Sequence, residues 1–342
     1  MNKQEILEVK SLINSPKRIV LVIHYSPDGD AIGSALAMAI YLQKKGHIVH
    51  ILSPNPFPDF LKWMPQSDTI LLVSNELERC EQILQASDLI FCLDFNVFER
   101  TGLLQSALKA SQQPKIMLDH HLYPPTYFDY MYSEPEKTSS TAELIYFFIA
   151  EMMEDKHIID KQIAECLYVG IITDTGSLSY SCNNDSTYKV LQDLVSHKID
   201  GERIHQLVYQ TYTESRIRLL GYCLSTRLTV LDEYATSFIY LTKEDLERFN
   251  YKHGDVDGIV NYGLSMINVR FAALFYQKED RIRISFRSKG DFDTNVFARN
   301  HFEGGGHKNA SGGNFYRSME EALEVFKNAV KLYKNQLLAP WE

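Results

Sequence analysis

The stretch that most constrains this chain runs from Ile19 to Ser34. Ile19, Val20, Leu21, Val22 and Ile23 form an apolar run rich in β-branched residues, which reads as a buried strand. It stops abruptly at His24, Asp28 and Asp30, with Gly29 and Gly33 beside them. Potential cation ligands therefore stand just past a strand's C-terminal end, where binding crevices open in α/β sheets. Asp28 and Asp30 have an ordinary alternative as helix caps or turn residues. The same strand-then-acid pattern recurs downstream, and the recurrence favours ligands.

Composition narrows the options. The chain has 342 residues, 45% hydrophobic and 23% charged, with room for about two domains. No apolar run approaches the roughly 18 residues of a membrane span, and the polar N-terminus does not read as a secretory signal. The expected location is the cytoplasm. Five cysteines, Cys80, Cys92, Cys166, Cys182 and Cys223, are scattered without a C-x-x-C pair, against both a disulfide framework and a zinc ribbon. A net charge of −9 disfavours indiscriminate binding to long duplexes but leaves room for a short anionic substrate held through metal ions.

In chain order, a surface helix over 1–15 precedes the first strand. A helical period over 31–45 stops at Gly46, and strands are expected at 48–52, 70–73 and 89–93, with a helix near 77–86. The strand over 89–93 ends in Asp94. A short strand over 115–118 ends in Asp119, His120 and His121. Ser140 and Glu143 form an S-x-x-E capping box ahead of the apolar run 144–153. Asp160 caps a helix that closes on Thr173-Asp174-Thr175-Gly176, and Asp185 opens another that runs to about 197. The alternation predicts an α/β fold: a doubly wound, mostly parallel N-terminal sheet plus a smaller C-terminal α/β domain. The expected divisions are 1–197, a helical connection over 198–225, and 226–342.

The second domain is expected to hold strands at 228–231, 237–241, 271–275 and 281–287. In the last, Ile282, Ile284 and Phe286 alternate with Arg281, Arg283, Ser285 and Arg287, as in a strand with one buried face. A helix over 294–300, a loop from Gly304 to Gly313 and a helix capped by Ser318 and Glu321 complete it.

His24, Asp28, Asp30, Asp94, His120 and Asp174 thus stand at element ends, where folding can gather them. Six ligands are too many for one tetrahedral zinc. A carboxylate-rich set without cysteine suits hard divalent ions such as manganese or magnesium. Two such ions about 3.5–4 Å apart can generate a hydroxide nucleophile and steady an in-line displacement at phosphorus.

The ordered motifs HYSPDGDAIGS, LDFN, LDHH, TDTG and GGGHKNASGG resemble the DHH family of phosphoesterases, and its short NrnA-like subgroup most closely. The resemblance spans nearly the whole chain. It implies a DHH catalytic domain followed by a DHH-associated substrate domain, with two manganese ions, magnesium or cobalt being alternatives. By position, His24 and Asp28 would hold the first ion and Asp30, His120 and Asp174 the second. Asp94 would bridge them and count as catalytic, and Asp119 would orient an imidazole. His121 would face the phosphate as donor or general acid. Arg287, Ser288, Gly305, Gly306 and His307 would grip the nucleotide. Successive glycines can present N–H groups to an anion, and the stretch from Arg281 to Arg317 is locally basic. The chain departs from the family pattern at Glu303, where a fourth glycine is usual.

The resulting expectation is hydrolysis of short single-stranded RNA or DNA, of the linear dinucleotide pApA, or of 3′-phosphoadenosine 5′-phosphate, in a crevice between the two domains. No membrane partner is expected, and the resemblance leaves a homodimer open. The alternatives are a pyrophosphatase or exopolyphosphatase of the same superfamily and a non-catalytic nucleotide-binding protein.

Overall fold

The computed structural model describes residues 1–122, 124–179, 182–252 and 254–340. The chain divides into two compact units, Met1–Thr211 and Tyr212–Glu342. The first contains, in order, α1 (Lys3–Leu12), β1 (Arg18–Val22), α2 (Gly29–Lys44), β2 (Ile48–Ser53), β3 (Leu71–Leu72), α3 (Val73–Gln85), β4 (Leu89–Leu93), α4 (Gln105–Ala110), β5 (Lys115–Leu118), β6 (Tyr130–Tyr132), α5 (Thr141–Phe147), α6 (Lys161–Asp174), α7 (Asp185–Ser196) and α8 (Gly201–Tyr209).

Its six strands are all parallel, in the order β3-β2-β1-β4-β5-β6. Both faces are covered, so the strands are continuous apolar runs rather than alternating ones. Ile19 and Leu21 of β1 enter the apolar cluster on one face, and Val20 and Val22 enter the cluster on the other. The winding reverses between β1 and β4. Loops leaving these neighbours diverge, which opens a crevice at their C-terminal ends.

Two glycines set the packing behind that crevice. Helix α2 is buried from Gly29 to Leu42. It meets α6 so closely that a Cβ on Gly33 would lie 2.5 Å from the Cys166 carbonyl oxygen. A Cβ on Gly170 would lie 2.5 Å from that of Ala142 and 3.0 Å from Asp30 Oδ1. The contact presses the start of α2, with Asp30, against the start of α5.

Three local expectations need correction. The strand expected over 70–73 is only Leu71–Leu72, because Val73 already opens α3. Strand β6 is three residues long, too short to show a period, and was not expected. The capping box at α5 is half formed. Ser140 Oγ accepts the Glu143 N–H (3.1 Å), but the Glu143 carboxylate turns away to Ser139 (N–H 2.8 Å, Oγ 2.7 Å), Ser186 Oγ (2.7 Å) and Thr187 Oγ1 (2.8 Å).

The second unit contains α9 (Glu214–Tyr222), β7 (Leu228–Leu231), β8 (Thr236–Leu241), α10 (Lys243–Arg248), α11 (Ile259–Leu264), β9 (Phe271–Gln277), β10 (Ile282–Ser288), α12 (Thr294–His301), β11 (Gly305–Gly306), β12 (Ala310–Phe315), α13 (Met319–Leu332) and α14 (Lys334–Leu338). The segment expected as a connection over 198–225 thus forms α8 in the first unit and α9 in the second. The second sheet is mixed, in the order β11-β12-β10-β9-β8-β7, with only β8 and β9 parallel. On one face Phe271, Phe275 and Phe286 pack against Phe297, Phe302 and Phe326. The stretch expected as a glycine loop is a hairpin, in which Gly305 and Gly306 pair with Gly312 and Ser311. Among the described residues no helix is long and apolar enough to cross a membrane.

Candidate metal centre

The crevice at the ends of β1 and β4 gathers side chains from five segments of the first unit. His24 follows β1 and is 4% exposed. Its Nδ1 lies 3.0 Å from the Tyr25 carbonyl oxygen, which can only accept, so the ring proton sits there and Nε2 of the neutral ring keeps its lone pair. Asp28 caps α2: its Oδ1 accepts the N–H groups of Asp30 (3.0 Å) and Ala31 (3.1 Å). The ordinary capping role therefore does not exclude a ligand role for the same carboxylate.

Asp30 is 1% exposed. The start of α5 holds both of its oxygens, the Thr141 N–H donating to Oδ2 (2.7 Å) and the Ala142 N–H to Oδ1 (2.8 Å). Burial, followed by repulsion from Asp94, Asp174 and Asp28, drives its pKa well above the usual carboxylate range.

Asp94 occupies the centre. It follows β4 at φ +64°, a left-handed conformation that Asp tolerates better than most residues, and is 2% exposed. Its Oδ1 accepts from Thr141 Oγ1 at 2.8 Å, and its Oδ2 lies 3.2 Å from His24 Nε2. His120 Nε2 stands 3.5 Å from Asp174 Oδ2 and 3.8 Å from both Asp30 Oδ2 and Asp94 Oδ1. Burial lowers the His120 pKa, yet Asp174, Asp94, Asp119 and Asp28 together raise it.

Two triads hold the expected ligands, His24–Asp28–Asp94 and Asp30–Asp94–His120, each with ligand atoms within 4.8 Å of one another; Asp94 is common to both and to a third triad, with Asp119 and His121. Asp174, the last residue of α6, adjoins the second through His120. The donor set fits hard divalent cations. It is carboxylate and imidazole without thiolate, and its carboxylates repel one another in a buried site. His24 Nε2 gives the sharpest test. It is buried and makes no hydrogen bond, although Asp94 Oδ2 is 3.2 Å away. Two acceptor atoms that close and out of hydrogen-bond alignment are arranged as two ligands of one cation are.

Beside the triads, Asp119 is fully buried and accepts from His121 twice, from its N–H (3.2 Å) and from Nδ1 (2.6 Å). That fixes the ring's proton on Nδ1. The other nitrogen, Nε2, faces Arg100 Nη1 at 3.1 Å. Burial and then the Arg100 charge lower the His121 pKa.

Sequence reasoning missed Arg100 and Thr141. Arg100 stands six residues after Asp94, but nothing local says that it folds back. Thr141 binds Asp30 and Asp94 across 111 and 47 positions of the chain.

The substrate residues expected in the second unit lie on and beside the hairpin. Arg287 pairs in register with Ala310 of β12 and Ala272 of β9, and its Nη1 donates to the Phe286 carbonyl (2.9 Å). Ser288 Oγ donates to the Phe292 carbonyl (2.6 Å) and accepts from Asn309 Nδ2 (2.8 Å). The Gly306 N–H donates to Asn295 Oδ1 (3.1 Å), and the His307 N–H to the Ala310 carbonyl (2.8 Å). A Cβ on Gly304 would lie 2.0 Å from the Gly312 carbonyl oxygen. Close backbone approach is therefore a sufficient reason for that glycine. Glu303 is exposed at φ +42°.

Comparison with known proteins follows the division of the chain. Residues 18–171 match the DHH family, N-terminal domain, and residues 232–334 match the DHHA1 domain. The bifunctional oligoribonuclease and PAP phosphatase NrnA of Bacillus subtilis is 26% identical over 339 residues, 97% of this chain and 99% of that protein. The crystal structure of an exopolyphosphatase-related protein from Bacteroides fragilis superposes with a TM-score of 0.94 at 43% identity, covering 99% of this chain and 98% of that one. RecJ from Thermus thermophilus in complex with Mn2+ shares the fold at a TM-score of 0.57 and 15% identity, over 99% of this chain and 55% of that one. The chain belongs to the DHH family and is a hydrolase built from a DHH domain followed by a DHHA1 domain.

Proposed function

We propose that the chain is a manganese-dependent phosphoesterase that hydrolyses short oligonucleotides and 3′-phosphoadenosine 5′-phosphate. The observation that carries this reading is the pair of triads meeting at the buried Asp94, in a chain aligned nearly end to end with an oligoribonuclease and PAP phosphatase. In this reading His24 and Asp28 hold one ion, Asp30, His120 and Asp174 hold another, and Asp94 serves both. Bound there, two such ions would activate water and neutralise charge on the phosphoryl group.

The chain's own groups do the rest. Thr141 and Ala142 fix Asp30, and the Thr141 hydroxyl fixes Asp94. Asp119 keeps the His121 proton on Nδ1, which leaves Nε2 as the atom that, once protonated, hands a proton to the leaving oxygen. We assign recognition of the nucleotide's anionic groups to Arg287 and His307. Ser288 and Gly306 support them, their hydrogens being given to Phe292 and Asn295. Gly305 belongs to the same support.

A second reading, hydrolysis of pyrophosphate or polyphosphate, draws on the Bacteroides fragilis structure described as exopolyphosphatase-related. The test is a panel of short RNAs, pApA, 3′-phosphoadenosine 5′-phosphate, pyrophosphate and polyphosphate with manganese, magnesium or cobalt. Turnover of nucleotide substrates by wild type but not by Asp94→Asn is expected. Turnover of polyphosphate alone would favour the second reading. If wild type and Asp94→Asn are equally inert throughout, the enzyme reading falls.

A further inference from the structure

Arg100 lies in the 3-10 turn Phe98–Leu104 that follows β4, and two of the site's loops hold its backbone. Its N–H donates to the Val97 carbonyl (3.1 Å) and its carbonyl accepts the Tyr25 N–H (2.6 Å), one residue beyond His24. The turn bends at Gly102 (φ +57°), where a Cβ would lie 3.3 Å from the Tyr25 ring.

The guanidinium is half-buried and held along one side only. Nη1 donates to His121 Nε2 (3.1 Å) and to the Asp94 carbonyl (3.3 Å). Among the described residues no carboxylate forms an ion pair with Arg100, and neither Nε nor Nη2 has a protein partner or is a buried unsatisfied atom. These two nitrogens carry the parallel N–H groups that match two oxygens of one phosphate. A charge left without a counter-ion beside a carboxylate cluster, its fork open to solvent and its stem anchored on the loops of His24 and Asp94, is suited to an anion that arrives with the substrate.

We propose that Arg100 is a catalytic residue that grips two non-bridging oxygens of the scissile phosphate through Nε and Nη2, with Nη1 staying on the Asp94 carbonyl and leaving His121 Nε2 when that nitrogen takes up a proton. The proposal deepens the phosphoesterase reading and rests on it. A bare strut joining the Asp94 turn to His121 is the competing role. A strut needs only Nη1, so a lysine could replace it, whereas a two-oxygen grip needs the planar fork.

The test compares wild type, Arg100→Gln, Arg100→Lys and Arg100→Ala with manganese and pApA. It also measures manganese stoichiometry by equilibrium dialysis, the melting temperature, and AMP binding by calorimetry. The expected result is a kcat lower by about 100- to 1000-fold in Arg100→Gln, as when one preorganised donor to a developing charge is removed. Arg100→Lys should restore little, and added guanidinium ion should rescue Arg100→Ala. Manganese stoichiometry and melting temperature should match wild type, and AMP should bind more weakly to Arg100→Gln. A kcat within threefold of wild type, full activity in Arg100→Lys, or loss of activity in step with loss of manganese would overturn the proposal. If wild type turns nothing over, the hydrolytic reading fails. AMP binding then decides Arg100 separately: weaker binding in Arg100→Gln upholds the anion grip, and unchanged binding refutes it.

Discussion

The crevice at the ends of β1 and β4 and the hairpin of β11 and β12 contain the chain's two most recognisable motifs, yet their polar groups are arranged in opposite ways. In the crevice, acceptors converge on acceptors: Asp94 Oδ2 faces the His24 lone pair, and burial among like charges drives up the Asp30 pKa. In and beside the hairpin, donors already meet acceptors, Gly306 with Asn295, Ser288 with Phe292 and His307 with Ala310. The first arrangement is poor for folding and good for holding cations. The second is good for folding first. A substitution in the crevice should therefore separate activity from stability, and one in the hairpin should not.

Asp94→Asn puts the largest strain on that distinction. Asn tolerates the left-handed backbone as Asp does, so the turn survives. We expect activity to fall by at least about 100-fold, the upper range for disturbing a ligand's surroundings. The metal-free protein should at the same time become more stable, read as a rise in Tm, because the change removes one of the charges that repel the buried Asp30. A variant that loses both activity and metal-free stability would break the comparison.

Glycine substitutions probe the packing behind each region. Gly170→Ala would drive a methyl to 2.5 Å from the Ala142 Cβ and 3.0 Å from Asp30 Oδ1. The expected cost is about 1–3 kcal/mol in thermal or urea unfolding of the first unit, with weaker manganese binding because Asp30 shifts. Gly304→Ala meets the Gly312 carbonyl in the hairpin and should cost a similar amount in the second unit. Manganese stoichiometry there should stay at the wild-type value. A Gly304→Ala protein that loses manganese would show the two regions to be less separate than their chemistry implies.

The same contrast explains what was legible in the sequence. His24, Asp94 and His120 could be read because each ends an apolar run, and strand ends are where a parallel sheet exposes chemistry. The alternation of elements announced a doubly wound parallel sheet, since parallel strands need crossover helices, but not that the winding reverses between β1 and β4. Arg100 and Thr141 could not be read, because their roles exist only once distant segments meet. The Glu143 spacing was legible as a capping box, but the carboxylate found four better donors in Ser139, Ser186 and Thr187. In the hairpin the glycines themselves were plain, whereas their reason was not. Spacing alone does not distinguish an N–H offered to an anion from a backbone pressed against its neighbour.

Glu303 provides the finest test, since its backbone and its charge make separable demands. At φ +42° a residue with a Cβ is strained by about 1 kcal/mol, which glycine would relieve while losing about 0.4–1 kcal/mol of unfolded-state advantage. Glu303→Gly should therefore lie within about 0.5 kcal/mol of wild type. Glu303→Ala keeps both the strain and the unfolded-state advantage and should match wild type within about 0.5 kcal/mol in matched urea titrations. Both variants remove the carboxylate, which is exposed in the second unit. If it faces solvent and not substrate, KM for pApA stays within about twofold of wild type in both, since an exposed charge is screened within a Debye length of about 8–10 Å. A KM that drops equally in Gly and Ala variants would assign the carboxylate a repulsive role toward phosphate. The hairpin would then join the crevice as a place where local charge is arranged for ligand rather than for fold.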